Sequence, residues 1–240
     1  MPPTKACIVV YFSYNPHSQQ SYLFVDFLSE IQKDAKIIFI VGDLFDFWFE
    51  YRKVIPKGYH KVLAKFLELR ELGIEIIYLV GNHDCLMRDY FEKELDVRLH
   101  RKPFEVILNN KKFYFHHGDG LSRKDIGYKI LRSILRNKFC QWLFSWIHPD
   151  IGMSLGKYSS KKSRRYTSKK YYGTDDGCYL FAKKKIEEGF DFVLMGHKHE
   201  MVYEKIGNGV YINLGDWITH YSYATFDGDY LTLKKIEKNI

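Results

Sequence analysis

Cysteine is scarce and unpaired in this sequence. Cys7, Cys85, Cys140 and Cys178 lie far apart and form no CxxC pair. That excludes a zinc ribbon or a disulfide framework and fits reduced thiols in a cytosolic compartment. No apolar run approaches the roughly 18 residues of a membrane-spanning helix. The first apolar stretch, residues 6–12, is too short for a signal peptide with its cleavage site and reads as a buried strand. The chain is therefore expected to be soluble or at most peripheral to a membrane. Internal repeats are absent too. One segment also lacks acid: residues 121–172 hold 13 Lys and Arg against 2 Asp, a local excess of +11, which leaves −3 on the rest of the chain. The whole basic excess sits there and should face something anionic.

What is present argues for one well-buried core with an insertion, as 240 residues allow. Short β-branched or aromatic runs at 6–12, 37–41 and 75–80 predict strands, and helical spacing at 19–33 and 58–72 predicts helices between them. This βαβα order points to an α/β domain. Residues 104–108 and 113–116 predict a hairpin turning at Asn109-Asn110. After Gly120 the texture changes. Residues 124–147 predict a helix rich in large apolar and basic side chains, followed by a Gly/Ser/Lys/Tyr-rich stretch at 152–173 with few apolar anchors. A helix at 175–188 follows, then strands at 191–195, 209–214, 222–227 and 230–236. The middle segment reads as a cap inserted in a continuous core. The expected division is a core of 1–120 and 186–240 with a helical cap of 121–185.

Four short motifs stand at the ends of predicted strands: Gly42-Asp43, Gly81-Asn82-His83-Asp84, His117-Gly118-Asp119 and Gly196-His197-Lys198-His199. The carboxyl ends of strands form the ligand crevice of open α/β sheets. A glycine before a polar residue lets the backbone leave the strand sharply and approach a ligand. Asp, Asn and His together make the mixed donor set of Mn, Fe or Zn sites. An Asp can bridge two ions, the arrangement that clamps attacking and leaving oxygens in phosphoryl chemistry. An HxH on an extended segment would point both rings to one face. A lone Gly-Asp is usually a turn and a lone HxH is weak, so the weight rests on the ordered set.

That series resembles the calcineurin-like metallophosphoesterase superfamily. The longer strings Gly42-Asp43-Leu44-Phe45-Asp46-Phe47-Trp48, His117-Gly118-Asp119-Gly120 and Asn213-Leu214-Gly215-Asp216-Trp217, with the basic insertion, resemble the UDP-2,3-diacylglucosamine hydrolases of lipid A synthesis. The resemblance implies a four-layer αββα sandwich with a helical cap and a divalent metal cofactor, for which manganese is the expected ion. It implies that Asp43 bridges two metals, that Asn82, His117 and His197 complete one site, and that His199 belongs to the other. His83 would sit over the scissile phosphate with Asp84 orienting it, and Asp119 would stand behind a ligating imidazole. Attack of water on the diphosphate of UDP-2,3-diacylglucosamine would give UMP and 2,3-diacylglucosamine 1-phosphate.

One departure bears on activity. The superfamily opens with DxH on its first strand, whereas the corresponding segment here is Ser13-Tyr14-Asn15-Pro16-His17. Tyr14 stands for the Asp and Pro16 for the His, so the site containing His199 loses two ligands. His17 is one residue out of register. A mononuclear enzyme, a catalytically impaired or regulatory homologue, and an altered sequence in this stretch are the three explanations.

In the cap, Trp142 and Trp146 lie near Arg132, Arg136 and Lys138, a greasy and basic combination that suits an amphiphile with an anionic head. A core helix or a solvated amphipathic face is the plainer alternative. The resemblance implies that acyl chains enter the cap while basic residues hold the diphosphate, with Lys161, Lys162, Arg164 and Arg165 as the candidate contacts. The expected partner is a UDP-linked acylated sugar, with peripheral contact on the cytoplasmic face of the inner membrane. Basic and aromatic residues interleave at 157–172, as in some single-strand binders. A nucleotide or nucleic-acid phosphodiesterase therefore ranks second, and a non-catalytic lipid- or metal-binding homologue third.

Overall fold

The computed structural model describes residues 5–9, 19–121, 132–167 and 177–236, with backbone alone at 9, 19, 20 and 161–167. Eleven strands and six named helices lie among them. They run β1 (Ala6–Val9), α1 (Gln19–Ile31), β2 (Ile37–Ile40), α2 (His60–Glu71), β3 (Glu75–Leu79), α3 (Tyr90–Glu94), β4 (Arg98–His100), β5 (Phe104–Leu108) and β6 (Lys111–Phe115). Then come α4 (Lys138–Phe144), α5 (Pro149–Thr167), α6 (Gly177–Glu187), β7 (Phe192–Met195), β8 (Met201–Ile206), β9 (Gly209–Leu214), β10 (Ser222–Phe226) and β11 (Leu231–Lys235).

The strands form two mixed sheets, ordered β11-β10-β1-β2-β3-β4 and β5-β6-β7-β9-β8. In the first, β1 through β4 are parallel, with Ala6 opposite Ile37 and Ile38 opposite Ile76. In the second, β6, β7 and β9 are parallel. Strand alternation sorts the side chains. Ala6, Ile8, Phe39, Val41 and Ile77 point inward to meet Phe113, Phe115, Leu194 and Ile212 of the other sheet. Phe39 stacks on Phe115 with centroids 4.6 Å apart. The alternate residues Cys7, Ile38, Ile40, Ile76 and Tyr78 point outward under Phe24, Leu28, Phe66 and Phe91 of α1 to α3. On the far side, Cys178 and Ala182 of α6 cover Val193, Met195 and Tyr211. The result is helix, sheet, sheet, helix, as expected. Helix α6 begins inside the 121–185 stretch and ends just past it, and its buried face belongs to the second sheet.

The predicted hairpin forms at Asn109-Asn110, both with positive φ (46° and 62°), the conformation a two-residue turn with right-handed twist requires. Between β6 and β7 the structure departs from the expected single helix over 124–147. Residues 132–136 are helical, the helix is interrupted at Asn137, and α4 starts afresh. Asn137 is extended and its side chain accepts hydrogen bonds from the N–H groups of Phe139 and Cys140, an N-cap written into the middle of the apolar run. The Gly/Ser-rich stretch is helical as far as Thr167. Its glycines serve close packing. A Cβ on Gly152 would stand 2.1 Å from the Tyr51 hydroxyl oxygen, and one on Gly156 would stand 2.2 Å from Cε1 of Phe47. Phe144 and Met153 complete this contact with Phe47, Phe49 and Leu86.

Candidate metal centre

The site lies at the carboxyl ends of parallel strands from both sheets. Asp43 leaves β2 with φ +54°, and His197 and His199 follow β7 with φ +68° and +57°. Left-handed backbone at non-glycine residues is costly and clusters where geometry is over-determined by its surroundings. It also alters the expected HxH geometry: His197 and His199 are not on extended backbone, and their Nδ1 atoms meet different partners, Asn82 Oδ1 and Asp216 Oδ2. Two glycines make the approach possible. A Cβ on Gly81 would lie 2.2 Å from Asp43 Oδ1, and one on Gly42 would lie 2.4 Å from His117 Nδ1.

Asp43, Asn82, His117 and His197 come together. Nε2 of His117 is 3.0 Å from Asp43 Oδ2 and 3.0 Å from Asn82 Oδ1. Nδ1 of His197 is also 3.0 Å from Asn82 Oδ1. Ligand atoms of Asp43, His117 and His197 all lie within 4.8 Å of one another, one carboxylate and two imidazoles from three loops. Behind them, Nδ1–H of His117 donates to the Val41 carbonyl at 2.9 Å, which turns Nε2 toward the centre. The amide of Asn213, fully buried, donates to Gly196 O at 2.9 Å and steadies the loop of His197.

Electrostatics follow from burial and these contacts. Burial opposes charge on Asp43, but His117 and His83 outweigh it and hold the carboxyl well below the usual range. Burial likewise disfavours charge on His117, but Asp43 overrides it and pushes its pKa up to about 9. Burial and the neighbouring His117 push His197 down to about 4. A carboxylate, an amide oxygen and one neutral and one readily exchanged imidazole are a donor set that suits a divalent transition ion.

The other predicted residues are placed as follows. His83 flanks the centre, its backbone N–H donating to Asp43 Oδ1 at 2.8 Å and its Nε2 lying 4.0 Å from Asp43 Oδ2. Asp84 does not orient it. That carboxylate turns into the core, accepting from the Gly81 and Leu44 N–H groups at 2.6 and 3.1 Å and from the Tyr78 hydroxyl. Burial, then repulsion from Asp43, raises its pKa to about 7. The His83 ring instead meets Ser160 of α5, with Nδ1 2.7 Å from Oγ. His199 stands apart from the cluster, its Nδ1 3.5 Å from Asp216 Oδ2. Asp216 Oδ1 also accepts from three successive N–H groups, Ile218 to His220. Asp119 faces Arg132 Nε at 2.9 Å and Arg136 Nη2 at 3.5 Å. Tyr14, Asn15, Pro16 and His17 lie outside the described residues. Lys161, Lys162, Arg164 and Arg165 lie on the α5 backbone, with side chains outside the description.

Sequence reasoning missed Ser160, Tyr78 and the Arg132–Asp119 pair. Only Ser160 had a legible sign, the four-residue spacing of Gly152, Gly156 and Ser160, which places small residues on one helix face.

Residues 16–201 match the family described as calcineurin-like phosphoesterase. The chain belongs to that family. Among the relatives of this calcineurin-like phosphoesterase is the UDP-2,3-diacylglucosamine hydrolase of Porphyromonas gingivalis, 34% identical over 228 residues, covering 88% of this chain and 87% of the relative. The UDP-2,3-diacylglucosamine hydrolase of Haemophilus influenzae is 29% identical over 204 residues, covering 83% and 84% of the two chains. Among solved structures, a novel archaeal phosphodiesterase superposes with a TM-score of 0.51 at 13% identity, covering 97% of this chain and all of its own, a likeness of fold. The protein is thus a hydrolase of the phosphoesterase class, and its family implies a divalent metal that the Asp43–His117–His197 group fits.

Proposed function

We propose that this hydrolase cleaves the diphosphate of UDP-2,3-diacylglucosamine, giving UMP and 2,3-diacylglucosamine 1-phosphate. The observation that carries the proposal is a cavity of about 430 Å³ that opens between Asn82 and His83 on one side and Ile134, Leu135, Phe144 and Leu155 on the other. It joins a phosphoryl site to an apolar chamber, the combination an acylated sugar diphosphate requires. The names of the relatives support the same substrate.

In this reading the core is 1–120 and 186–240, and 121–185 is the cap. Asp43, Asn82, His117 and His197 hold a divalent ion, for which manganese is our choice, and His199 with Asp43 belongs to a second, weakened position. A bound ion would supply Lewis acidity to a phosphoryl oxygen and lower the pKa of a ligated water. His83 faces the same space through Nε2 and supports the leaving group. Asp84 acts through the loop, fixing the Gly81 and Leu44 amides that shape it. Lys161, Lys162, Arg164 and Arg165 meet the diphosphate. The exposed Phe139, Trp142, Leu143 and Trp146, within the basic segment, rest against the cytoplasmic face of an anionic membrane. Among the described residues no helix is long and apolar enough to cross a membrane.

The test compares turnover of UDP-2,3-diacylglucosamine, bis(4-nitrophenyl) phosphate and single-stranded DNA with added Mn²⁺, scoring UMP release. UMP from the acylated sugar with no DNA cleavage is expected. Faster cleavage of DNA would move the protein to the nucleic-acid phosphodiesterases. Silence on every substrate would favour a binding homologue, one of the three explanations for Tyr14 and Pro16 in place of DxH.

A further inference from the structure

The hydroxyl of Ser160 lies at the seam between α5 and the metal centre, and only 5% of this residue is exposed. Its oxygen is 2.6 Å from the carbonyl of Asp46 and 2.7 Å from Nδ1 of His83. A carbonyl only accepts, and a serine carries a single hydrogen. The hydroxyl therefore donates to Asp46, and its lone pair must accept from Nδ1–H of His83. In a neutral imidazole that choice leaves the lone pair on Nε2, the atom turned toward Asp43, where it can take up the proton that it passes to a leaving group while Nδ1–H stays on Ser160. The neighbouring carboxylate of Asp84, which sequence order suggested for this task, is committed to Gly81, Leu44 and Tyr78.

The seating of Ser160 depends on its helix. Gly152, Gly156 and Ser160 follow one another at four-residue intervals on the face that meets Tyr51, Phe47 and Asp46. Any side chain at the two glycines would lift α5 away and carry the hydroxyl out of reach.

We propose that Ser160 is a positioning residue that fixes the tautomer and orientation of His83, so that docking of α5 sets the state of a side chain at the phosphoryl site. This rests on the assignment of His83 to that site. The coupling gives the cap a second task beyond enclosing substrate: a chain with α5 unseated has its metal donors in place but its His83 ring without the Ser160 contact.

The test reads the tautomer first, because it needs no substrate. Long-range ¹H–¹⁵N spectra of the full chain, with the His83 signals assigned by their loss in H83Q, are expected to show Nδ1–H and a bare Nε2. A wild-type ring protonated at Nε2 and bare at Nδ1 overturns the proposal. In S160A the ring is expected to shift toward the Nε2–H form, and an unchanged tautomer overturns it as well. With bis(4-nitrophenyl) phosphate, S160A should lower kcat about tenfold or more with KM within about twofold, part of the range that acid–base groups contribute. In an H83A background the same substitution should change nothing, and additive losses would mean that Ser160 acts elsewhere. Should UDP-2,3-diacylglucosamine prove not to be the substrate, the spectra and the small-ester kinetics still decide the point.

Discussion

Oδ2 of Asp43 stands 3.0 Å from Nε2 of His117. The two atoms are close enough to serve one ion, which the pair would hold between a carboxylate oxygen and an imidazole nitrogen. Without an ion, a proton joins them. Burial works against that proton, but Asp43 raises the pKa of His117 from 6.5 to about 9. Metal and proton then compete for one lone pair.

Divalent-ion affinity is therefore expected to rise about tenfold per pH unit between pH 7 and about 9, then level off. The metal-free protein should behave in the opposite sense. A folded value near 9 against an ordinary 6.5 means stability that is fully present below pH 6.5 and lost as pH climbs through 9. Calorimetric Mn²⁺ titration at three pH values, with melting of the chelator-treated protein, checks both. A flat affinity across this window contradicts the assignment of His117.

Substitution of Gly81 or Gly42 by alanine should loosen the metal centre from behind. The new Cβ at 81 meets Asp43 Oδ1, and at 42 it meets His117 Nδ1. Each should cost about 1–3 kcal/mol of stability from overpacking, and G42A more because its φ of +84° disfavours any side chain. Denaturant midpoints rank the two, and metal stoichiometry should fall below wild type in both.

G156A should act on the cap and spare the sandwich. Its Cβ would enter the ring of Phe47, which is itself mostly buried. Limited proteolysis is expected to cut the 132–167 region sooner, while the melting of the two-sheet core shifts little. Equal resistance to protease in both proteins would show that α5 tolerates the change by sliding.

R132Q combined with R136Q removes two arginines facing Asp119, a carboxylate with 2% exposed surface on which His117 also acts. An uncompensated buried charge costs several kcal/mol, about 3–5 where one partner of a buried pair is deleted. Both arginines are partly exposed, so water recovers some of that cost. A loss of about 1–3 kcal/mol is therefore expected, relieved when D119N is added. Thermal melts of the triple and double variants form the comparison.

Much of the sandwich was legible in the sequence because its strands are short apolar runs with glycine-led polar motifs at their ends. Gly42-Asp43 and Gly81 to Asp84 lie where strand order puts the crevice, and Asn109-Asn110 turns as its residue types demand. Strand β8 was not legible, since its burial is only partial and does not alternate, although it turns directly into its partner β9 at Gly207-Asn208. Helix α5 was hidden for a different reason. Glycine at 152 and 156 reads as a breaker until the neighbour it admits, the aromatic loop at 47–51, is known. The separate partners of His197 and His199 go with left-handed backbone at both, which no spacing rule for extended chain contains. Arg132 reaches the site only through tertiary contact, so its role had no local signature.

Strands β6 and β7 are hydrogen-bonded neighbours, although Phe115 and Phe192 are separated by the whole stretch that carries α4, α5 and α6. Closure entropy grows only with the logarithm of the excursion, about 0.6 kcal/mol for each doubling of its length. Lengthening, shortening or exchanging the part before α6 therefore barely taxes the two sheets. Substrate preference can drift on one side of that junction while the metal donors on the other side stay fixed in register.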